Sequence, residues 1–223
     1  MYPTQNYDKM KKKLTTLLLA CIVSFSCCKK DDNPIIPETK WKKINIGVGA
    51  QTVNDLKVFN NTIFAGTDSG ICFSNDAGKT WTNYNTTDRK LNIRKIFFDN
   101  NVIFLGTKNA GVYASYDLGV TWIPTNQGIQ TLIAPSYPEI SSFVSDSIYV
   151  YAGIPSISLN TPKPAQIYRK RKDQTTWKPF DSGVEAIGVR AFYKYEERVY
   201  AGTWEGIYVF EPALSKWIKF GES

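Results

Sequence analysis

The chain has 223 residues, a formal net charge of +7, four cysteines and no histidine. The missing imidazole excludes Ser-His-Asp and Cys-His catalysis and every zinc site that needs a histidine. Much of the positive charge sits at the start, where Lys9, Lys11, Lys12 and Lys13 face only Asp8; the remainder is mildly basic, a weak basis for a nucleic-acid partner, and none is expected.

The first element is a leader. Lys11 to Lys13 form a basic run, followed by the apolar stretch LTTLLLACIVSF from Leu14 to Phe25. That stretch is shorter than the about 20 residues of a membrane-spanning helix and suits the apolar segment of a signal peptide. Met10 can serve as the start. The sequence FSCCKKDD, Phe25 to Asp32, resembles a bacterial lipobox, and its KKDD resembles the export signal of surface lipoproteins of the Bacteroidetes. The resemblance implies that residues 1–27 are a lipoprotein signal peptide, that Cys28 is acylated, and that the protein is held by lipid at the outer membrane, exposed at the cell surface. Cys27 fits almost as well as Cys28, and an ordinary cleaved signal peptide is the alternative. Residues 28–40, with Pro34 and Pro37, then read as a tether. Beyond the leader Cys72 has at most an acylated partner, so no structural disulfide, all-thiolate zinc site or other cofactor is expected.

From residue 41 to 223 the chain repeats itself. Trp41, Trp81, Trp122, Trp177 and Trp217 recur about every forty residues, further apart only between Trp122 and Trp177. Between them come TIFAGT, VIFLGT, YVYAGI and RVYAGT, and then GICF, GVYA, QIYR and GIYV. In the first interval DLKVF, TIFAG, ICFS and KTWTNY read as four short strands, separated by FNNT, TDSG and NDAG turns. Four strands per interval is the size of a propeller blade. The fold class is therefore all-β: a β-propeller of four-stranded antiparallel blades, about four in number, as a ring or an incomplete arc.

The third turn carries a shared octet, SNDAGKTW at 74–81 and SYDLGVTW at 115–122. Asp76 is suited to close the turn by accepting backbone N–H groups. Gly78 is suited to positive φ, Ser74 and Thr80 face each other, and Trp81 supplies apolar bulk at the start of the fourth strand. Ser115, Asp117, Gly119, Thr121 and Trp122 take the same roles. S-x-D-x-G-x-T-W resembles the Asp-box, or bacterial neuraminidase repeat, of sialidases, sortilin-type receptors, some endoglucanases and photosystem II assembly propellers. That resemblance implies a structural turn on the propeller face opposite the ligand face, and it does not carry an activity. The third and fourth intervals depart from it, with KRKDQTTW at 170–177 and FEPALSKW at 210–217; Pro212 is a device for holding the last turn.

Function is then to be sought on the opposite loops. Trp204, outside the repeat register, stands beside Glu205 in a turn and could stack on a sugar ring or anchor a protein; its other role is packing on an insertion at 154–166. Tyr137 lies between Pro135 and Pro138, a stiffly presented aromatic with the same two roles. Asp68 occupies the first such turn. A carboxylate pair for glycoside hydrolysis would come from Asp68, Glu139, Asp181, Glu185 and Glu205. The basic run Tyr168 to Lys172 reads as a solvated hairpin, with anion binding as its alternative, and Cys72 reads as core. The expectation is a non-enzymatic, lipid-anchored propeller that binds a protein or glycan, with a glycoside hydrolase fragment as the second reading.

Overall fold

The structure, a computed structural model, describes residues 52–84, 90–130, 136–155 and 166–221. The leader, Cys28, the tether and Trp41 lie outside the described residues. Blade 1 is β1 (Val53–Phe59), β2 (Thr62–Thr67), β3 (Gly70–Ser74) and β4 (Thr82–Tyr84). Blade 2 is β5 (Ile93–Asp99), β6 (Val102–Thr107), β7 (Val112–Ser115) and β8 (Ile123–Pro124). Blade 3 is β9 (Ser142–Ser145), β10 (Tyr149–Gly153), β11 (Ile167–Arg171) and β12 (Lys178–Pro179). Blade 4 is β13 (Val189–Tyr195), β14 (Arg198–Thr203), β15 (Gly206–Glu211) and β16 (Lys216–Lys219). Each is an antiparallel meander whose strands pair in chain order.

Local chemistry sets the hairpins. Asn60 and Asn61 both take positive φ between β1 and β2, the two-residue turn that matches strand twist. The first strands of blades 1, 2 and 4 carry a register shift, at Val53/Asp55, Ile93/Lys95 and Val189/Ala191. Such a bulge turns the residue before it onto the same face as the residue three positions later. Ile93, Ile96 and Phe98 of blade 2 accordingly all meet blade 1.

Blades pack face to face through three cores. Phe64 and Ile71 of blade 1 meet Ile93, Ile96, Ile103 and Leu105 of blade 2. Phe104, Val112 and Ala114 of blade 2 meet Ile140, Phe143 and Ala152 of blade 3. Val144, Tyr151 and Ile167 of blade 3 meet Val189, Ala201 and Tyr208 of blade 4. Fully burying one such aliphatic or aromatic side chain contributes about 1.5–3 kcal/mol. A glycine of the second strand makes each approach possible. A Cβ on Gly66 would stand 2.7 Å from Ile93 Cγ2, one on Gly106 would overlap the Ile140 carbonyl, and one on Gly153 would overlap Ser142 Oγ of its own sheet and stand 2.9 Å from Phe192 Cε2 and 3.0 Å from Val189 Cγ1 of the next blade.

Two tryptophans latch blade to blade by main-chain bonds. Trp177 donates from its backbone N to Gln127 O (2.8 Å) and from Nε1 to Thr125 O (2.7 Å). Trp217 repeats the grip on Ser182 O (2.8 Å) and Phe180 O (2.7 Å). Trp81 and Trp122 differ from expectation: they stand just before β4 and β8 instead of opening them. Trp81 Nε1 bonds Gly78 O at 3.1 Å, and Trp122 Nε1 is buried with no partner among the described residues.

The sheets form an open arc. Ile207 of β15 occupies the place that Ile71, Val112 and Ile167 hold in their blades, each opposite the second-strand glycine. Those three are 2%, 0% and 0% exposed, whereas Ile207 is 49% exposed. At the other end Leu56, in the register of the fully buried Ile96, is 57% exposed.

Candidate functional site

The octets build turns and use their polar groups in doing so. Ser74 Oγ donates to Asp76 Oδ1 (2.8 Å) and accepts from Gly78 N (2.8 Å). Asp76 also receives Thr80 N (2.9 Å) and Thr80 Oγ1 (2.6 Å). In the second octet Ser115, Asp117, Gly119 and Thr121 make the same contacts, at 2.6–2.8 Å. The Thr80 hydroxyl and amide, then Ser74, hold the Asp76 pKa down to about 2, and Thr121 and Ser115 do the same for Asp117. Positive φ is shared by Ala77 with Gly78 and by Leu118 with Gly119.

A meander places the first and third turns at one end of a blade, and the second turn with the link to the next blade at the other. The octets therefore lie at one end of blades 1 and 2. At the opposite end of blade 2 lies a cleft of about 500 Å³, lined by Lys90, Tyr113, Asn109, Asn126, Gln127 and Tyr137 among others. Tyr137 is half-buried against the core between blades 2 and 3, and its backbone N bonds Asn109 O at 3.2 Å. Asn126 fixes the floor: its Oδ1 accepts Val112 N (2.7 Å) and its Nδ2 donates to Ala110 O (3.0 Å). Gly111, at φ +71, leaves room for that amide where a Cβ would overlap it. The β6–β7 turn is pinned by Thr107 Oγ1, which donates to Gly111 O (2.9 Å) and accepts Ala110 N (2.9 Å). The result is a rigid cleft with two phenol rings, exposed amides and one ammonium.

The other predicted residues do not join it. Trp204 stands exposed on the β14–β15 turn, its ring under the Arg190 guanidinium at 4.1 Å and its Nε1 3.3 Å from Pro155 O. Glu205 lies on the same turn, where its N bonds Thr203 Oγ1 at 3.2 Å. Asp68, three blades away, accepts Ser69 Oγ at 3.1 Å. Of the remaining carboxylates, Glu139 pairs with Arg94 at 3.5 Å and Asp181 accepts Gln166 N at 2.9 Å. Residues 156–165 of the insertion lie outside the described residues. Among the described residues no cluster of carboxylates and thiols is placed to hold a metal ion.

The basic run is not a solvated hairpin. Tyr168 and Lys170 point inward and are buried; Lys170 Nζ donates to Gln174 O at 3.0 Å, and burial lowers its pKa. Arg169 lies over Tyr149 (4.4 Å) and Phe180 (3.7 Å). Arg171 makes a two-point pair with Asp173 (3.0 Å each), and Lys172 meets Asp99 at 2.7 Å. Strand alternation, invisible in a run of like charges, sends these cations to both faces. Cys72 is buried, and burial raises its pKa. The asparagines of the cleft escape sequence reasoning because Asn in a turn is ordinary; their only signal is that Asn109 and Asn126 flank the same short hairpin.

No protein-family model matches the chain, and comparison with curated proteins finds no match. Among solved structures it is similar to an ancestral GH74 enzyme, at 18% identity and TM-score 0.59, over 82% of this chain and 25% of that one. It is similar to YCF48 bound to D1 peptide, at 16% identity and TM-score 0.54, over 79% of this chain and 54% of that one. It is also similar to the extracellular domain of BT4673 from B. thetaiotaomicron, at 13% identity and TM-score 0.60, over 83% and 24%. The chain thus spans about a quarter of two of these chains and about half of the third. At such identities the likeness carries the fold alone: the described residues form a β-propeller arc of four four-stranded blades, a fold that fits the Asp-box kind.

Proposed function

We propose that the chain is a lipid-anchored surface protein of the outer membrane, acylated at Cys28, whose propeller arc binds a glycan or protein ligand without turning it over. The observation that supports binding is the cleft at the end of blade 2 remote from the octets. Aromatic faces beside fixed amides suit a sugar ring or a peptide backbone. None of the described residues lining it is an Asp or Glu. The carboxylates that the fold displaces, Asp76, Asp117 and Asp173, all move down, away from the raised pKa a general acid uses. Trp204 and Glu205 form a second, separate contact on blade 4. The partners of Lys170, Arg171 and Lys172 within the chain support the reading that nucleic acid is not the ligand.

The test is binding of the purified protein to glycan and peptide arrays. Tyr137→Ala is expected to weaken the captured ligand about tenfold, the effect of a central aromatic anchor, while Trp204→Ala leaves cleft binding unchanged. Hydrolysis of a polysaccharide, abolished by Glu205→Gln, would replace this reading with the glycosidase one. Mass spectrometry of the mature N-terminus is expected to find an acyl chain on Cys28; an unmodified terminus removes the anchor.

A further inference from the structure

Each junction between blades is a peg in a hole. The hole is the second-strand glycine of one blade, and the peg is an aliphatic residue at or just before the first strand of the next. Ile93 fills the space over Gly66, Ile140 that over Gly106, and Val189 shares that over Gly153 with Phe192 of its own strand and with Ser142 of the glycine's sheet. All three pegs are 0% exposed. Among the described residues four blades carry four of each, so one peg and one hole are left at the ends of the arc.

The spare peg is Val53, which pairs with Thr67 as Ile93 pairs with Thr107 and Val189 with Thr203. It is 41% exposed. The spare hole is Gly202, in the register of the other three glycines. Its added Cβ would meet only Ala191, of its own sheet, at 3.7 Å. Beside the hole Tyr193, Ile207 and Phe220 are exposed, and beside the peg so are Leu56 and Val58. These are the two halves of an interface that the chain already makes three times, separated because the arc does not close.

We propose that two copies of this chain close one ring, the Val53 end of each docking on the Gly202 end of the other. The partner is the protein itself because the end faces continue the internal junction at the peg, at the hole, and at Leu56 and Ile207 in the registers of Ile96 and Ile71, and complement each other instead of themselves. A head-to-tail contact closes when the rotation per copy completes a circle. Propellers typically hold four to eight blades, so two four-bladed arcs fit that range and three exceed it. Closure also covers apolar surface at both ends of each copy, of the kind that soluble monomers rarely leave open.

The test uses the full chain in mild detergent. Sedimentation equilibrium, corrected for bound detergent, is expected to give twice the mass of one mature chain. Gly202→Leu fills the hole and is expected to weaken association at least about tenfold, as overpacking a fitted contact does. Oxidising a mixture of Val53→Cys and Gly202→Cys chains is expected to give a covalent dimer that neither variant gives alone. A single-chain mass throughout the micromolar range would overturn the proposal. So would a disulfide that forms only within one chain carrying both substitutions, since that marks self-closure.

Discussion

At the scale of residues, the octet is a carboxylate wrapped in donors. Asp76 and Asp117 have pKa values lowered from 3.8 to about 2 by Thr and Ser hydrogen bonds. A carboxylate with a lower pKa in the folded state adds stability above its unfolded pKa and loses it as pH falls through the folded one. Thermal melting is therefore expected to fall between about pH 4 and pH 2. Asp76→Asn with Asp117→Asn is expected to flatten that slope while lowering the melting temperature at pH 7. An unchanged slope in circular dichroism melts would assign the acid transition to other groups. The sequence spelled out the turn's hydrogen-bonding residues, yet it pointed to glycine alone for positive φ. Ala77 and Leu118 take φ 59 and 61 because the Ser–Asp–Thr bonds fix the backbone whatever residue stands there.

At the scale of elements, the second-strand glycines make a sharp comparison. Gly106→Ala places a methyl against the Ile140 carbonyl, which belongs to backbone and cannot turn aside. It is expected to cost about 1–3 kcal/mol. Gly202→Ala meets only van der Waals distances, and as an isolated arc the variant is expected to stay within about 0.5 kcal/mol of the parent. Urea titration of both variants, at dilution, checks the difference. The strands and this register were legible because a propeller repeats its small residues wherever blades must approach. The tryptophan latches were not, since each joins atoms 35 to 52 residues apart through a main chain that any sequence provides. Nor were the two faces of the Tyr168–Lys172 strand, whose partners Asp99, Tyr149 and Phe180 come from other strands and links.

At the scale of the whole molecule, each blade touches only its neighbours, so the chain behaves as a short stack. Blades 2 and 3 are covered on both faces and blades 1 and 4 on one described junction each. Hydrogen exchange of the dilute protein is expected to be slowest in β6 and β10 and faster in β2 and β14. Equal protection in all four would indicate covered ends. Tyr137 could be singled out from its flanking prolines, but the cleft it lines could not, because that cleft exists only where the links into and out of blade 2 meet its β6–β7 turn. Trp204 was singled out as the odd tryptophan, and its neighbour Arg190 was not.

The latches have a direction. Trp177 and Trp217 hold carbonyls that precede them in the chain, so the grip always reaches backward. In a chain that emerges N-terminus first, each later tryptophan meets carbonyls that have already emerged. The latches therefore suit assembly from the N-terminus. A chain shortened after blade 3 keeps both carbonyls that Trp177 grips and is expected to lose only the junction with blade 4.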